Sequence, residues 1–119
     1  MDVLHLATEH VDGATVVLSV GGELDVATTP AFERTIAGLV SRGHNRLVLD
    51  LGALSLIDAT GVGAFVGAQK GVREANGSLV LRSVPDRVRS VLTIGGLDGV
   101  LEIETDDLID LADGRLALR

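Results

Sequence analysis

Residues 46–81 read RLVLDLGALSLIDATGVGAFVGAQKGVREANGSLVL, and this stretch sets the fold class. Leu47-Val48-Leu49 is a continuous apolar run, the pattern of a strand covered on both faces. A short apolar loop follows, and the polar quartet Asp58-Ala59-Thr60-Gly61 stands where the next element begins. Beyond it Val62, Phe65, Val66 and Val72 fall on one side of a helix. Asn76-Gly77 ends that helix, and Ser78 to Leu81 is another short buried strand. Strand, helix and strand in this order form the crossover unit of a parallel sheet.

Toward the N-terminus, Val3 to Thr8 alternates apolar with polar, as a half-buried strand does, and Asp12-Gly13 signals a hairpin. Val16, Val17, Leu18 and Val20 make a second strand, closed by Gly21-Gly22. Thr28, Thr29 and Pro30 open a helix with a hydroxyl N-cap and proline in the first turn. Its apolar face is Phe32, Ile36, Leu39 and Val40, and Gly43 stops it. Toward the C-terminus, Ser83 and Pro85 begin a third helix with the stripe Val88, Val91 and Leu92 and the cap Gly95-Gly96. Val100 to Ile103 is a last strand. Thr105 then caps a terminal helix holding Leu108, Ile109, Leu111 and Ala112, with Asp106 and Asp107 suited to its dipole. The expected order is β-β-α-β-α-β-α-β-α. This is an α/β domain over residues 1–119, its N-terminal β-hairpin feeding a mixed, partly parallel sheet of about five strands with about four helices.

Composition narrows the chemistry. With 46% hydrophobic and 23% charged residues in 119, the chain has the balance of one globular domain and can bury roughly two thirds of its unfolded surface. There is no cysteine, which excludes disulfides, thiol nucleophiles and thiolate metal sites. Two phenylalanines are the entire aromatic inventory, too few for a base-stacking platform, and a net charge of −7 argues against nucleic acid or an anionic membrane. That charge is uneven: residues 2–25 carry −5, residues 26–97 carry +3 and residues 98–119 carry −5. No basic and apolar leader opens the chain, and no apolar run approaches the ~20 residues of a membrane span, so a cytoplasmic protein without membrane insertion is expected.

Catalytic parts are missing as well. His5, His10 and His44 lie far apart in the sequence without ligand spacing, so no metal site is expected. There is no Gly-x-Ser-x-Gly elbow and no phosphate-loop Gly-Lys-Ser/Thr, and Lys70 is the sole lysine. Neither an enzyme nor a cofactor is expected. Two patches remain. Gly22-Glu23-Leu24-Asp25 lies between the second strand and the first helix, and Leu54 to Gly63 leads into the second helix. Thr60 or Asp58 at a helix start is either a plain N-cap or part of a site that meets an anion or a hydroxyl. Asp25 is either a solvated turn residue or shares one face with Asp58.

These patches, in this order, resemble the STAS domain of bacterial anti-sigma factor antagonists. Gly22-Glu23-Leu24-Asp25 matches that family's first turn in full. Val48-Leu49-Asp50-Leu51 and Leu56-Ile57-Asp58-Ala59-Thr60-Gly61-Val62-Gly63 match its strand end and helix start, and the likeness runs over residues 3–112. The resemblance implies a switch that acts by binding. Its partner would be an anti-sigma factor, usually a serine kinase, which on capture releases a sigma factor for transcription. The implied contact residues are Asp25, Asp58, Ala59, Thr60, Gly61, Val62 and Gly63, with Val62 expected to be partly exposed and Phe65 buried. In the family a phosphorylated hydroxyl residue directly follows the aspartate; here that residue is Ala59, which cannot accept phosphate. Thr60 is the neighbouring candidate acceptor, apart from Ser55. Alternatives are a subunit of a multi-STAS signalling complex or of a lipid or anion transport assembly, and a nucleotide-binding protein using the Asp25/Asp58 face.

Overall fold

The computed structural model describes residues 3–97 and 99–104. The hairpin leads: β1 (Leu4–His10) pairs antiparallel with β2 (Thr15–Leu24). The Asp12 carboxylate holds the turn by accepting from the Ala14 and Thr15 amides at 2.9 and 2.8 Å. These bonds favour the ionised form and hold its carboxyl below the usual carboxylate range. After α1 (Thr29–Ser41), strand β3 (Arg46–Asp50) pairs parallel with the first half of β2. Helix α2 (Ala59–Glu74) crosses over to β5 (Ser78–Arg82), parallel to β3. Helix α3 (Asp86–Ile94) leads to β6 (Glu102–Ile103), parallel to β5.

Two expectations need correction. The segment read as a short apolar loop is a strand, β4 (Leu54–Ile57), so the sheet has six strands, not five. It pairs parallel with the second half of β2, on the edge opposite β1 and beyond the end of β3. For the same reason β2 does not close at Gly21-Gly22 but runs through them to Leu24. Gly22 takes a positive φ of 87° where the β2–β4 register shifts, a conformation that suits glycine. The described residues hold three helices, and the terminal helix expected after Thr105 lies outside them. No described helix is long and apolar enough to cross a membrane.

The core gathers Val16, Leu18 and Val20 of β2, Leu47 and Leu49 of β3, and Leu79 and Leu81 of β5 beneath the helices. Helix α1 contributes Phe32, Ile36 and Leu39, and α2 contributes Phe65, Ala68 and Val72. The rings of Phe32 and Phe65 meet edge to face, their centroids 5.6 Å apart. Helix α3 buries Val88 and Leu92, while Val91, read as part of that stripe, is exposed.

Candidate functional site

Strand pairing brings the two acidic patches together. Leu24 and Ile57 are partners at the ends of β2 and β4, so Asp25 and Asp58 are the next residues on adjacent strands. The Asp58 amide donates to the Leu24 carbonyl at 3.2 Å, which ties the two strand ends. Helix α2 then starts hard against this seam. A Cβ on Gly61 would lie 2.6 Å from the Leu24 carbonyl oxygen and 2.8 Å from Ile57 Cγ1, so a side chain there would push the helix off the strands.

Asp58 is the N-cap of α2. Its backbone is extended and its Oδ1 accepts from the Gly61 amide at 3.0 Å. The expected cap at Thr28 is different. Thr28 is already in helical conformation and makes no cap bond; its hydroxyl accepts from the Asp25 amide and donates to the Glu23 carbonyl, each at 2.9 Å. Asp25 Oδ1 in turn accepts from the Ala27 and Thr28 amides at 2.9 and 3.1 Å. Thr28 therefore braces the Asp25 turn, a role that capping rules did not reveal. Each carboxylate spends Oδ1 on its own backbone and, among the described residues, leaves Oδ2 without a hydrogen bond.

The seven residues singled out in the sequence divide by exposure. Ala59, Thr60 and Gly63 are exposed, and Asp25 and Asp58 are half-buried. Gly61 and Val62 are buried, contrary to the partial exposure expected for Val62. Both turn inward because α2 rests directly on the β2–β4 seam. Phe65 is fully buried, as expected. The outer surface of the site is therefore the first turn of α2, with two acids beside it.

Around this end, Arg87 of α3 donates to the Ser55 carbonyl of β4 at 3.1 Å. The Ser55 hydroxyl donates across to the Gly22 carbonyl at 2.9 Å. On the neighbouring strand ends, Arg82 pairs with Asp50 at 3.1 Å. Arg87 belongs to no motif; only the packing of α3 beside β4 brings it here. Elsewhere, His10 and His44 come together with ring centroids 4.9 Å apart, although 34 positions separate them in the chain. His5 does not join them, and the described residues hold no group of three or more His, Cys, Asp or Glu fit for a metal ion.

This chain is similar to several known proteins. An anti-sigma-B factor antagonist of Listeria monocytogenes is 34% identical over 97 residues, spanning 82% of this chain and 81% of that protein. The crystal structure of an anti-sigma factor antagonist from Mycobacterium paratuberculosis superposes with a TM-score of 0.77 at 26% identity, covering 96% of this chain and 97% of the other. The anti-sigma factor antagonist SpoIIAA in its unphosphorylated form gives a TM-score of 0.73 at 26% identity, covering 93% and 98%. Residues 7–104 match the family described as Mlab, STAS domain. The chain belongs to the STAS-domain family.

Proposed function

We propose that this protein is an anti-sigma factor antagonist: it binds an anti-sigma factor and so frees a sigma factor for transcription. The observation that carries the reading is the start of α2, capped by Asp58, presenting Ala59, Thr60 and Gly63 to solvent beside the braced Asp25. Relatives that share the fold over most of its length are named for this activity. It works by binding, without catalysis, and its partner is an anti-sigma factor of the serine-kinase type.

The usual acceptor position is an alanine, so the antagonist stays in its binding form when that kinase acts on its ordinary target. Ala59 is exposed, and a serine there fits without repacking. A phosphate at this position would add about two negative charges next to Asp25 and Asp58. The helix dipole tolerates that charge; a partner that reads this end as acidic but not phosphorylated does not. Thr60 supports a second reading, in which it takes the phosphate itself, because it is exposed and its hydroxyl makes no hydrogen bond among the described residues.

Incubation of wild type, Ala59→Ser and Thr60→Ala with the anti-sigma kinase and ATP, with the phosphate mapped by mass spectrometry, separates the two. The expected result is tight binding without phosphate on wild type, and phosphorylation with release for Ala59→Ser. Phosphate on wild type that disappears in Thr60→Ala would overturn constitutive binding.

A further inference from the structure

Strand β1 forms one edge of the sheet, since among the described residues it pairs only with β2. Which of its backbone groups face β2 follows from its two ends. The Glu23 amide donates to the Val3 carbonyl and the Val11 amide to the Thr15 carbonyl, both at 2.9 Å. Bonding alternates along an antiparallel ladder, so His5, Ala7 and Glu9 turn their backbone groups toward β2 as Val3 and Val11 do. Leu4, Leu6, Thr8 and His10 turn theirs outward, and no other described strand takes them.

Sheet edges are normally blunted by lysine, proline or a bulge. The seven residues of β1 include neither lysine nor proline, and their pairing with β2 runs without a register shift. Nothing within the strand keeps another strand away.

We infer that this edge pairs with β1 of a second copy, antiparallel about a two-fold axis at Ala7, and joins two sheets into one. The strand selects this occupant because it is complementary to its own reverse. With Ala7 opposite Ala7, all the outward-facing residues bond, Leu4 to His10 and Leu6 to Thr8 of the other copy. Each such pair exchanges two hydrogen bonds, about eight in all across the axis. On the outer face the same register sets the exposed His5 opposite the exposed Glu9, an imidazole that can donate to a carboxylate. Beyond the strand ends Val3 meets Val11, side chains left 42% and 59% exposed in the single chain. On the helix side the half-buried Leu6 lies diagonal to its own copy. Sliding the strands by two residues either way sets His5 against Ala7 or Val11, and takes one outward-facing residue of each copy out of the pairing. Ala7 suits the axis, where the unbonded pair brings Cα atoms to about 4.5 Å. The end of β4 that leads to Asp58 lies on the opposite edge of β2, so pairing through β1 leaves it open.

Sedimentation equilibrium over about a hundredfold range of concentration should show a reversible monomer–dimer equilibrium. Amide exchange reads the register: Leu6 and Thr8 should gain protection as concentration rises, whereas Ala7 and Glu9 are protected throughout. Thr8→Pro removes an outward N–H that β2 does not use, and should weaken the dimer at least tenfold without changing the melting temperature of dilute protein. Should that variant fail to fold, Ala7→Lys sets like charges against each other at the axis and should weaken the dimer as much. Glu9→Lys should weaken it too, and adding His5→Glu should restore most of the loss. A protein that stays monomeric at every concentration overturns the inference. A dimer that Thr8→Pro and Ala7→Lys leave intact also overturns it, because the copies then meet through another face. Loss in Glu9→Lys without rescue by His5→Glu overturns the pairing about Ala7.

Discussion

Two residues at the head of α2 do different work within three positions. Asp58 is both a cap and a charge, and substitution can separate these roles. Asp58→Ala removes the acceptor of the Gly61 amide and should cost about 1 kcal/mol of stability. Asp58→Asn keeps an acceptor of the same shape and should fold almost as well, yet bind the anti-sigma factor more weakly because the charge is gone. Urea denaturation beside a binding titration checks both; equal loss of binding and stability in the asparagine variant would make Asp58 a cap only. Gly61 shows the opposite constraint. Gly61→Ala places a methyl against the Leu24 carbonyl and Ile57 and should destabilise the fold by about 1–3 kcal/mol, the range of overpacking. At Gly67 a Cβ meets nothing within 4 Å, so Gly67→Ala should stabilise by roughly 0.5–1 kcal/mol through helix propensity alone. The same substitution in one helix thus changes sign with what lies beyond the Cβ.

At the scale of elements, the crossover unit and most turns were legible because their signals are local. Apolar runs, helical spacing at Phe32, Ile36 and Leu39, and Gly43 with its φ of 90° all act within a few residues. What escaped was pairing between distant segments. Leu54–Ile57 has the burial order in, out, out, in, because its register against β2 slips at Gly22, so no clean alternation marks it as a strand. Gly21-Gly22 has the composition of a turn, and pairing with β1 on one side and β4 on the other keeps it within the strand. The acidic patches were recognisable from their motifs, but Arg87 was not, since its bond to the Ser55 carbonyl joins residues 32 positions apart. At Thr28 the bonds to Glu23 and Asp25 are local, yet they differ from the helix cap that its position suggested. The hairpin permits a pH prediction. Asp12 has its carboxyl held low by the Thr15 and Ala14 amides, so its folded value lies below the unfolded one. The stability it confers is therefore present above the ordinary carboxylate range and is lost as pH falls through the depressed folded value. Amide exchange at Thr15 should speed up on that acid limb in wild type. In Asp12→Ala it should already be fast at neutral pH; an unchanged rate there would show that the turn holds without the carboxylate.

Across the whole molecule, the proposed binding surface rests on a helix seated in the core. Helix α2 begins at the proposed partner surface and is anchored at Phe65, whose ring meets Phe32 of α1 edge to face in the centre of the core. These are the chain's only two aromatic residues, so neither has an aromatic neighbour to take its place. A domain of this kind is stable by only about 5–15 kcal/mol, and truncating a buried phenylalanine removes about 3–5 of it. Phe65→Ala should therefore lower the denaturation midpoint sharply while leaving every outward group at the head of α2 in the sequence. If the head of α2 is set by its seating on the β2–β4 seam, binding should fall in proportion to the folded fraction. Affinity corrected for that fraction, measured at low temperature where most molecules are folded, should then stay within about threefold of wild type, less than the tenfold that 1.4 kcal/mol represents. If the corrected affinity drops further, the seam alone does not position Asp58 and Thr60, and the aromatic pair is part of how the surface is shaped.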